Sequence, residues 1–209
     1  MQNNYYWSED WSEEFYIELA KAGFISTTYE TKDTLVLLPE LQFSYAVLKF
    51  EDLHISKKVK KLLKEDNFIF SIDNDLDAVL EMVATQHRYN WLKGEYLHLL
   101  KKLHKKEQND FKLISVELYD KVTKKLIAGE VGYIIKKTYT SLSGFSLREK
   151  NYNNYGTLQL VLLAKYLQKN GFLFWNMGHP HMAYKQRLGA KIYVRDEFLK
   201  LWSKALYLY

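Results

Sequence analysis

The chain has 209 residues, enough for one large domain or for a small lobe plus a core domain, and enough to bury a substantial core without staples. It contains no cysteine, which excludes disulfides, thiolate zinc sites and a thiol nucleophile, so any chemistry must come from oxygen and nitrogen groups. With 30 basic against 25 acidic residues the formal charge is only +5, so an anionic partner has to be met by a local patch and not by a global field.

The N-terminal MQNNYYWSEDW has neither the basic region nor the apolar core of a signal peptide, and no apolar run reaches the length of a membrane span. A cytoplasmic protein without a membrane partner is therefore expected. Ser8 or Ser12 can cap a first helix that is acidic at Glu13 and Glu14, carries Phe15, Leu19 and Ala22 on one face and closes at Gly23. Residues 24–30, 34–38 and 45–50 are short apolar or alternating runs and read as a small antiparallel lobe. Ser56 caps a helix over Lys57–Lys64. Its lysines at 57, 58, 60, 61 and 64 leave Val59, Leu62 and Leu63 for the core and make a dense basic ridge. Such a ridge is either a solvated face or a row of phosphate contacts, and binding of the second kind weakens steeply with salt.

Residues 67–72 read as a strand, and 76–88 as a helix apolar at 76, 79, 80 and 83. A polar, aromatic loop, Gln86–Trp91, precedes a helix over 93–106 with Leu97, Leu100 and Leu103 inward. Its histidines have no partner at ligand spacing, so no metal site is read. Three successive strands follow at 111–119, 125–136 and 138–143, with Gly129 and Gly132 marking a bulge or a close backbone approach. Beyond them Asn153 and Asn154 precede a helix with Leu158, Val161, Leu162, Lys165 and Tyr166 at helical spacing, which Gly171 stops. A short strand over 172–175 ends in Asn176, Gly178, His179 and Pro180, the lip of a pocket at a strand terminus or an ordinary strand-to-helix turn. A final helix over 196–205 buries Phe198, Leu199 and Trp202 and leads into the tail LYLY. There are no repeats or low-complexity linkers.

Read in order, Ser143-Gly-Phe145-Ser146, Arg148, Asn154, Asn170-Gly-Phe172 and Leu188-Gly189-Ala190 with Arg195 resemble the C-terminal half of the leucyl/phenylalanyl-tRNA–protein transferases. Upstream, Leu53-His54-Ile55-Ser56-Lys57 is similar to that family's E-L-H-V-S-R segment, Tyr89-Asn90-Trp91-Leu92 to its G-T-W-I segment and Ile127–Gly132 to its V-G-G-x-Y-G strand. The resemblance implies an α+β fold, a Gcn5-type N-acyltransferase-like mixed sheet flanked by helices. It divides the chain into a small N-terminal α+β lobe, residues 1–55, and an acyltransferase-like core, residues 56–209. It implies transfer of an amino acid from aminoacyl-tRNA to the N-terminal amine of a protein or peptide by a monomer that uses no cofactor. Lys57, Lys58, Lys60, Lys61 and Lys64 would then bind tRNA, and Trp91 would stack on the terminal adenosine. Glu130, Ser143, Gly144, Phe145 and Gly178 would form the aminoacyl pocket, with Asn176 and Tyr184 in catalytic roles.

Several family positions are substituted. The F-P-W entrance segment is Phe24-Ile25-Ser26 here. The family's glutamate in G-E-S-M-F-S falls on Leu142, its strand-end aspartate on Asn176 and the following glutamine on Gly178. An asparagine cannot act as a carboxylate base, so catalysis rests on positioning or is lost. Glu130, at an apolar family position, suggests a pocket for a polar or cationic aminoacyl group if it faces inward; a one-residue register slip would turn it to solvent. Two other functions stay open. A non-catalytic tRNA-binding relative fits the substitutions. A coenzyme-A-dependent N-acyltransferase fits the fold but lacks the Q/R-x-x-G-x-G/A phosphate loop over Arg148–Gly156.

Overall fold

The computed structural model of the chain describes residues 4–86, 91–105, 108 and 110–207. His87–Asn90 of the expected polar loop, Lys106 of the helix after it and Leu208–Tyr209 of the tail lie outside the described residues. The first helix, α1 (Glu13–Lys21), starts where the Ser12 hydroxyl accepts the Phe15 N–H, as its capping chemistry predicts. Its buried face is Tyr16, Ile17 and Ala20, one step round from the expected Phe15, Leu19 and Ala22. The aromatic side chain decides this: Tyr16 packs edge-on against Phe111, and its hydroxyl reaches that of Tyr96 at 3.2 Å.

Strands β1 (Ile25–Glu30) and β2 (Leu35–Glu40) form a two-stranded antiparallel sheet. The next strand, β3 (Ser44–Leu48), does not join them, contrary to the expected three-stranded lobe. It enters the main sheet, where an almost wholly buried strand finds partners on both edges. Helix α2 (Lys57–Glu65), strand β4 (Phe68–Ile72), helix α3 (Leu76–Gln86) and helix α4 (Gly94–Lys105) follow. α3 buries Leu76, Val79, Leu80 and Val83 as its periodicity predicts. A meander of β5 (Phe111–Asp120), β6 (Leu126–Ile135) and β7 (Thr138–Ser146) leads to α5 (Tyr155–Lys169), β8 (Phe174–Asn176), α6 (Ala183–Leu188), β9 (Lys191–Val194) and α7 (Arg195–Tyr207).

Seven strands pair in the order β4-β5-β6-β7-β8-β3-β9, antiparallel except for β7 against β8. Side-chain alternation along the meander divides the core. Ile114, Val116, Leu118 and Ala128 face α2 and α5, whereas Phe111, Leu113, Val131 and Tyr133 face α1, α3, α4 and α7. The result is the mixed sheet with helices on both faces that the sequence implies. The inward stripe of α5 is Leu158, Val161, Ala164 and Leu167, joined by Gln159 and Leu163; Lys165, expected within the stripe, is exposed. At Val131/Gly132 the β6–β7 register shifts, the bulge that the two glycines signal. Among the described residues no helix is long and apolar enough to cross a membrane.

One contact fixes α6 against the chain leading into α2. Gly189 ends α6 at φ 110°, the Leu188 carbonyl accepts the His54 N–H at 2.8 Å, and a Cβ on residue 189 would fall 2.0 Å from the Asp52 carbonyl oxygen. Gly189→Ala is therefore expected to destabilise the fold by about 2–4 kcal/mol, since it combines a left-handed backbone with a backbone collision. Urea unfolding of the two chains measures this, and an unchanged midpoint would contradict the packing described.

Candidate functional site

The site begins with a break in strand pairing. β7 and β8 run side by side only as far as Thr140 opposite Asn176. Beyond that point β7 stays with β6 as far as Ser146, while the chain after β8 stays with β3. There Ala46 accepts the Met177 N–H and donates its own N–H to the Gly178 carbonyl, both at 2.8 Å. Two residues thus oppose one, the pairing of a bulge, which a residue at φ 69° such as Gly178 allows. Between Ser141 and Asn176 the two neighbouring strands part and leave a cleft.

Two buried ionisable groups stand beside it. Glu130, on β6, is 3 % exposed and points toward α5, so the inward register holds. Its Oε1 accepts hydrogen bonds from the hydroxyls of Tyr139 and Ser141, each at 2.8 Å, and its Oε2 accepts from Gln159 Nε2 at 3.3 Å. Burial raises its pKa, with the three donors and Lys185 pulling the other way. Trp175 braces the cluster by donating its indole N–H to Ser141 Oγ at 2.8 Å. Lys185, on α6, is 5 % exposed, and its Nζ donates to the carbonyls of Met177 at 2.5 Å and His179 at 2.7 Å. Burial pushes this amine down to about 8, against an opposing pull from Glu130. A neutral lysine amine has two N–H groups and one lone pair, so donation to two carbonyls leaves the lone pair for a proton.

The residues singled out in the sequence lie as follows. Asn176 is 1 % exposed; its Oδ1 accepts the Gly178 N–H at 3.0 Å and its Nδ2 reaches Thr140 Oγ1 at 3.4 Å, so it holds the turn at the cleft's edge. Tyr184 neighbours Lys185 on α6 and is 39 % exposed; desolvation of its hydroxyl, with Glu130 adding to it, pushes that group up to about 12. The five aminoacyl-pocket residues are not on one surface. Gly144 lies opposite Glu130 across the β6–β7 ladder, where a Cβ would meet the Gly129 carbonyl at 2.9 Å, whereas Ser143 and Phe145 pair with Val131 and Gly129 and so turn to the other face. Leu142 packs against the core on that same face. The carboxylate of Glu130, expected to pair a cationic substrate group, is already engaged by three protein donors.

All five lysines of α2 are exposed, and Lys61 reaches Glu65 only at 3.7 Å. Val59 anchors the helix in the core that α5 also covers. The Leu188–His54 hydrogen bond then ties the lysine ridge to the element that carries Lys185. Trp91 stands elsewhere: its ring is half-buried, 5.5 Å from that of Tyr96, with the core on the opposite face of the sheet. Sequence reasoning passed over Tyr139, Ser141, Gln159, Trp175 and Lys185. For Lys185 the available signal was its spacing, three residues before inward-facing Leu188, and for Gln159 its place between Leu158 and Val161.

The pKa of Lys185 has a thermodynamic consequence. Between about pH 8 and pH 10 the unfolded chain keeps a proton on this lysine that the folded chain has released. Stability rises with pH wherever the unfolded state binds more protons, so this group contributes a rise of up to about 1.4 kcal/mol per pH unit in that window. Urea unfolding from pH 7 to 9.5 should give free energies that climb above pH 8 relative to those of Lys185→Met; parallel curves for the two proteins would refute the shift.

A family model described as leucyl/phenylalanyl-tRNA protein transferase matches residues 47–203, most of the chain. A search of curated proteins finds no match. Among solved structures, FemX superposes with a TM-score of 0.53 at 11 % identity, over 86 % of this chain and 66 % of that one. The GCN5-related glucosamine N-acetyltransferase region of a fungal β-N-acetylglucosaminidase gives 0.52 at 11 % identity, over 90 % and 22 %. The C-terminal domain of a candidate lysylphosphatidylglycerol synthetase from Agrobacterium fabrum gives 0.49 at 15 % identity, over 88 % and 67 %. The chain spans about two thirds or less of each of these proteins. At such identities the likeness concerns the fold, and it is the GCN5-related acyltransferase fold. The match over residues 47–203 goes further: this chain belongs to the leucyl/phenylalanyl-tRNA protein transferase family.

Proposed function

We propose that the chain transfers an aminoacyl group from the 3′ end of a charged tRNA to an amine of a protein or peptide. The observation that carries this reading is the pairing of a cleft holding a buried lysine of lowered pKa with a ridge of exposed lysines on the same face of the sheet. The ridge supplies affinity for a phosphate backbone, and the cleft supplies acid–base groups at the point where the strands part.

In the reaction the acceptor nitrogen attacks the ester carbonyl carbon, a C–N bond forms, the C–O bond to the ribose breaks, the amine loses a proton and the ribose oxygen gains one. The ester is already activated, so positioning and proton movement are the tasks left to the protein. Lys185 suits the first proton transfer, because near pH 8 an appreciable fraction of it is neutral and its two carbonyl partners aim the amine. Glu130 stabilises the lysine once it is charged and so acts as a positioning residue. Tyr184, whose hydroxyl keeps its proton at neutral pH, suits donation to the departing oxygen. Asn176 fixes the turn that presents the two carbonyls. This reading draws nothing from Trp91.

A non-catalytic tRNA-binding relative is the competing reading, favoured by Asn176, whose polar atoms are engaged by the Gly178 N–H in the turn and by Thr140 on β7, and by Leu142, which is packed against the core. Single aminoacyl-tRNAs, each labelled on the amino acid, with a peptide acceptor, discriminate between the two. Turnover is expected, with kcat about a hundredfold lower in Lys185→Ala. The double change Lys60→Glu and Lys61→Glu should raise KM for the charged tRNA about tenfold or more and lessen the slope of log affinity against log salt by about two. Salt-dependent tRNA binding with no turnover on any aminoacyl-tRNA would leave the binding relative as the correct reading.

A further inference from the structure

Helix α6 has two exposed flanks, and one of them runs from the cleft to the lysine ridge. Lys185 and Leu188, three residues apart, are its buried row. Side chains at that spacing share a flank, so Tyr184 and Arg187 form the next row round, while Gln186 lies on the opposite flank. Tyr184 identifies the cleft side: its hydroxyl is desolvated and feels the Glu130 carboxylate, and Lys185 Nζ lies 5.9 Å from its ring centroid. Arg187 therefore continues the cleft-side row toward the end of the helix.

At that end α6 meets the approach to α2. The carbonyl of Leu188, next in the chain to Arg187, accepts the His54 N–H, and Gly189 lies against the Asp52 carbonyl. α2 opens at Lys57 and Lys58 with no acidic residue in its first turn, and the nearby Asp52 carboxylate is taken by Lys191 at 2.8 Å. Arg187 is exposed, and among the described residues no salt bridge reaches it. A polyanion held along α2 thus passes this guanidinium on its way to Lys185. The group suits a single phosphate better than the ridge does, because its planar fork matches two phosphate oxygens at once and keeps its charge at every working pH. The lysines of α2 are point charges in a row, suited to successive phosphates and not to a chosen one.

We propose that Arg187 grips the phosphate on the 5′ side of the donor's terminal nucleoside, so that the site selects a nucleotide ester over a nucleoside ester and sets the acyl group beside Lys185. The assignment rests on the acyl-transfer reading above and names the part of the donor that registers it in the cleft. Arg187 is a binding and specificity residue in this scheme and takes no part in proton movement.

The test uses the whole chain and donor analogues in which an amide replaces the ester, so that binding is read without transfer. The probes are 3′-aminoacylamino-3′-deoxyadenosine with a free 5′ hydroxyl and the same molecule with a 5′-phosphate, each made with a phenylalanyl and with a lysyl side chain. Calorimetry should show the phosphate tightening binding about tenfold or more in the unmutated chain and less than about twofold in Arg187→Gln, with Arg187→Lys between them because a point charge replaces the fork. Gln186→Ala, on the opposite flank, should keep the full gain. A fold defect would weaken both members of a pair alike, so the ratio between them reports the phosphate contact itself. An equal gain in Arg187→Gln, no gain in the unmutated chain, or a gain lost as completely in Gln186→Ala would each overturn the assignment while leaving the acyl-transfer reading standing. Failure of every analogue to bind the unmutated chain would refute that reading and the assignment together.

Discussion

A carboxylate and an ammonium group buried beside the seam where two parallel strands separate form the constraint to which the surrounding structure is fitted. Neither Glu130 nor Lys185 could remain there unaided, since desolvation disfavours the charged form of each. The surroundings answer with directed polar groups: two hydroxyls and an amide for the acid, two backbone carbonyls for the amine. Those groups come from β7, α5 and the turn after β8, while Glu130 itself stands on β6 and Lys185 on α6, so the seam can be assembled only when most of the sheet is in place. The bulges at Gly132 and Gly178 belong to the same solution, because each re-aims a strand at the point where regular pairing would close the cleft.

The lysine ridge depends on this seam through short links. Leu188 ends α6 and bonds His54, Gly189 lies against Asp52, and α2 begins at Lys57 after the Ser56 cap. The basic helix is thus secured at its N-terminal side to the element that carries Lys185, and its core residue Val59 shares the layer under α5. Local charge patterning and the interior of the sheet are consequently one mechanical unit, as a protein with a small net charge requires if it is to meet a polyanion at a chosen place.

Much of the fold was legible before any coordinates. Helical periodicity gave α3 its full inward set, Ser12 and Ser56 announced the starts of α1 and α2, and the glycine pair in β6 announced a bulge. Order and spacing of short motifs carried the family assignment, which the match over residues 47–203 supports independently. The inward stripes of α1 and α5 were misjudged by a residue or two, because the partners that decide them, Phe111 and Tyr96 for Tyr16 and Glu130 for Gln159, are distant in sequence. The destination of β3 was misjudged for a related reason: a strand's pairing is set by whichever open edges the fold leaves beside it, and nothing local distinguishes β2 from β8 and β9 as its neighbour.

The sequence by itself determined the family, the mixed helix-and-strand class and the position of the lysine helix, because each rests on short-range periodicity or on motifs read in order. The tertiary structure alone decided that Glu130 turns inward and is engaged, that Lys185 is a buried amine and not a surface charge, that Trp91 stands apart from the lysines, and that the Gln42 side-chain carbonyl is buried without a hydrogen-bond partner among the described residues. These are properties of convergence. Burial, and with it a shifted pKa or an orphaned hydrogen-bond acceptor, arises when segments distant in the chain come together, and single-chain patterning carries no record of which segments those will be.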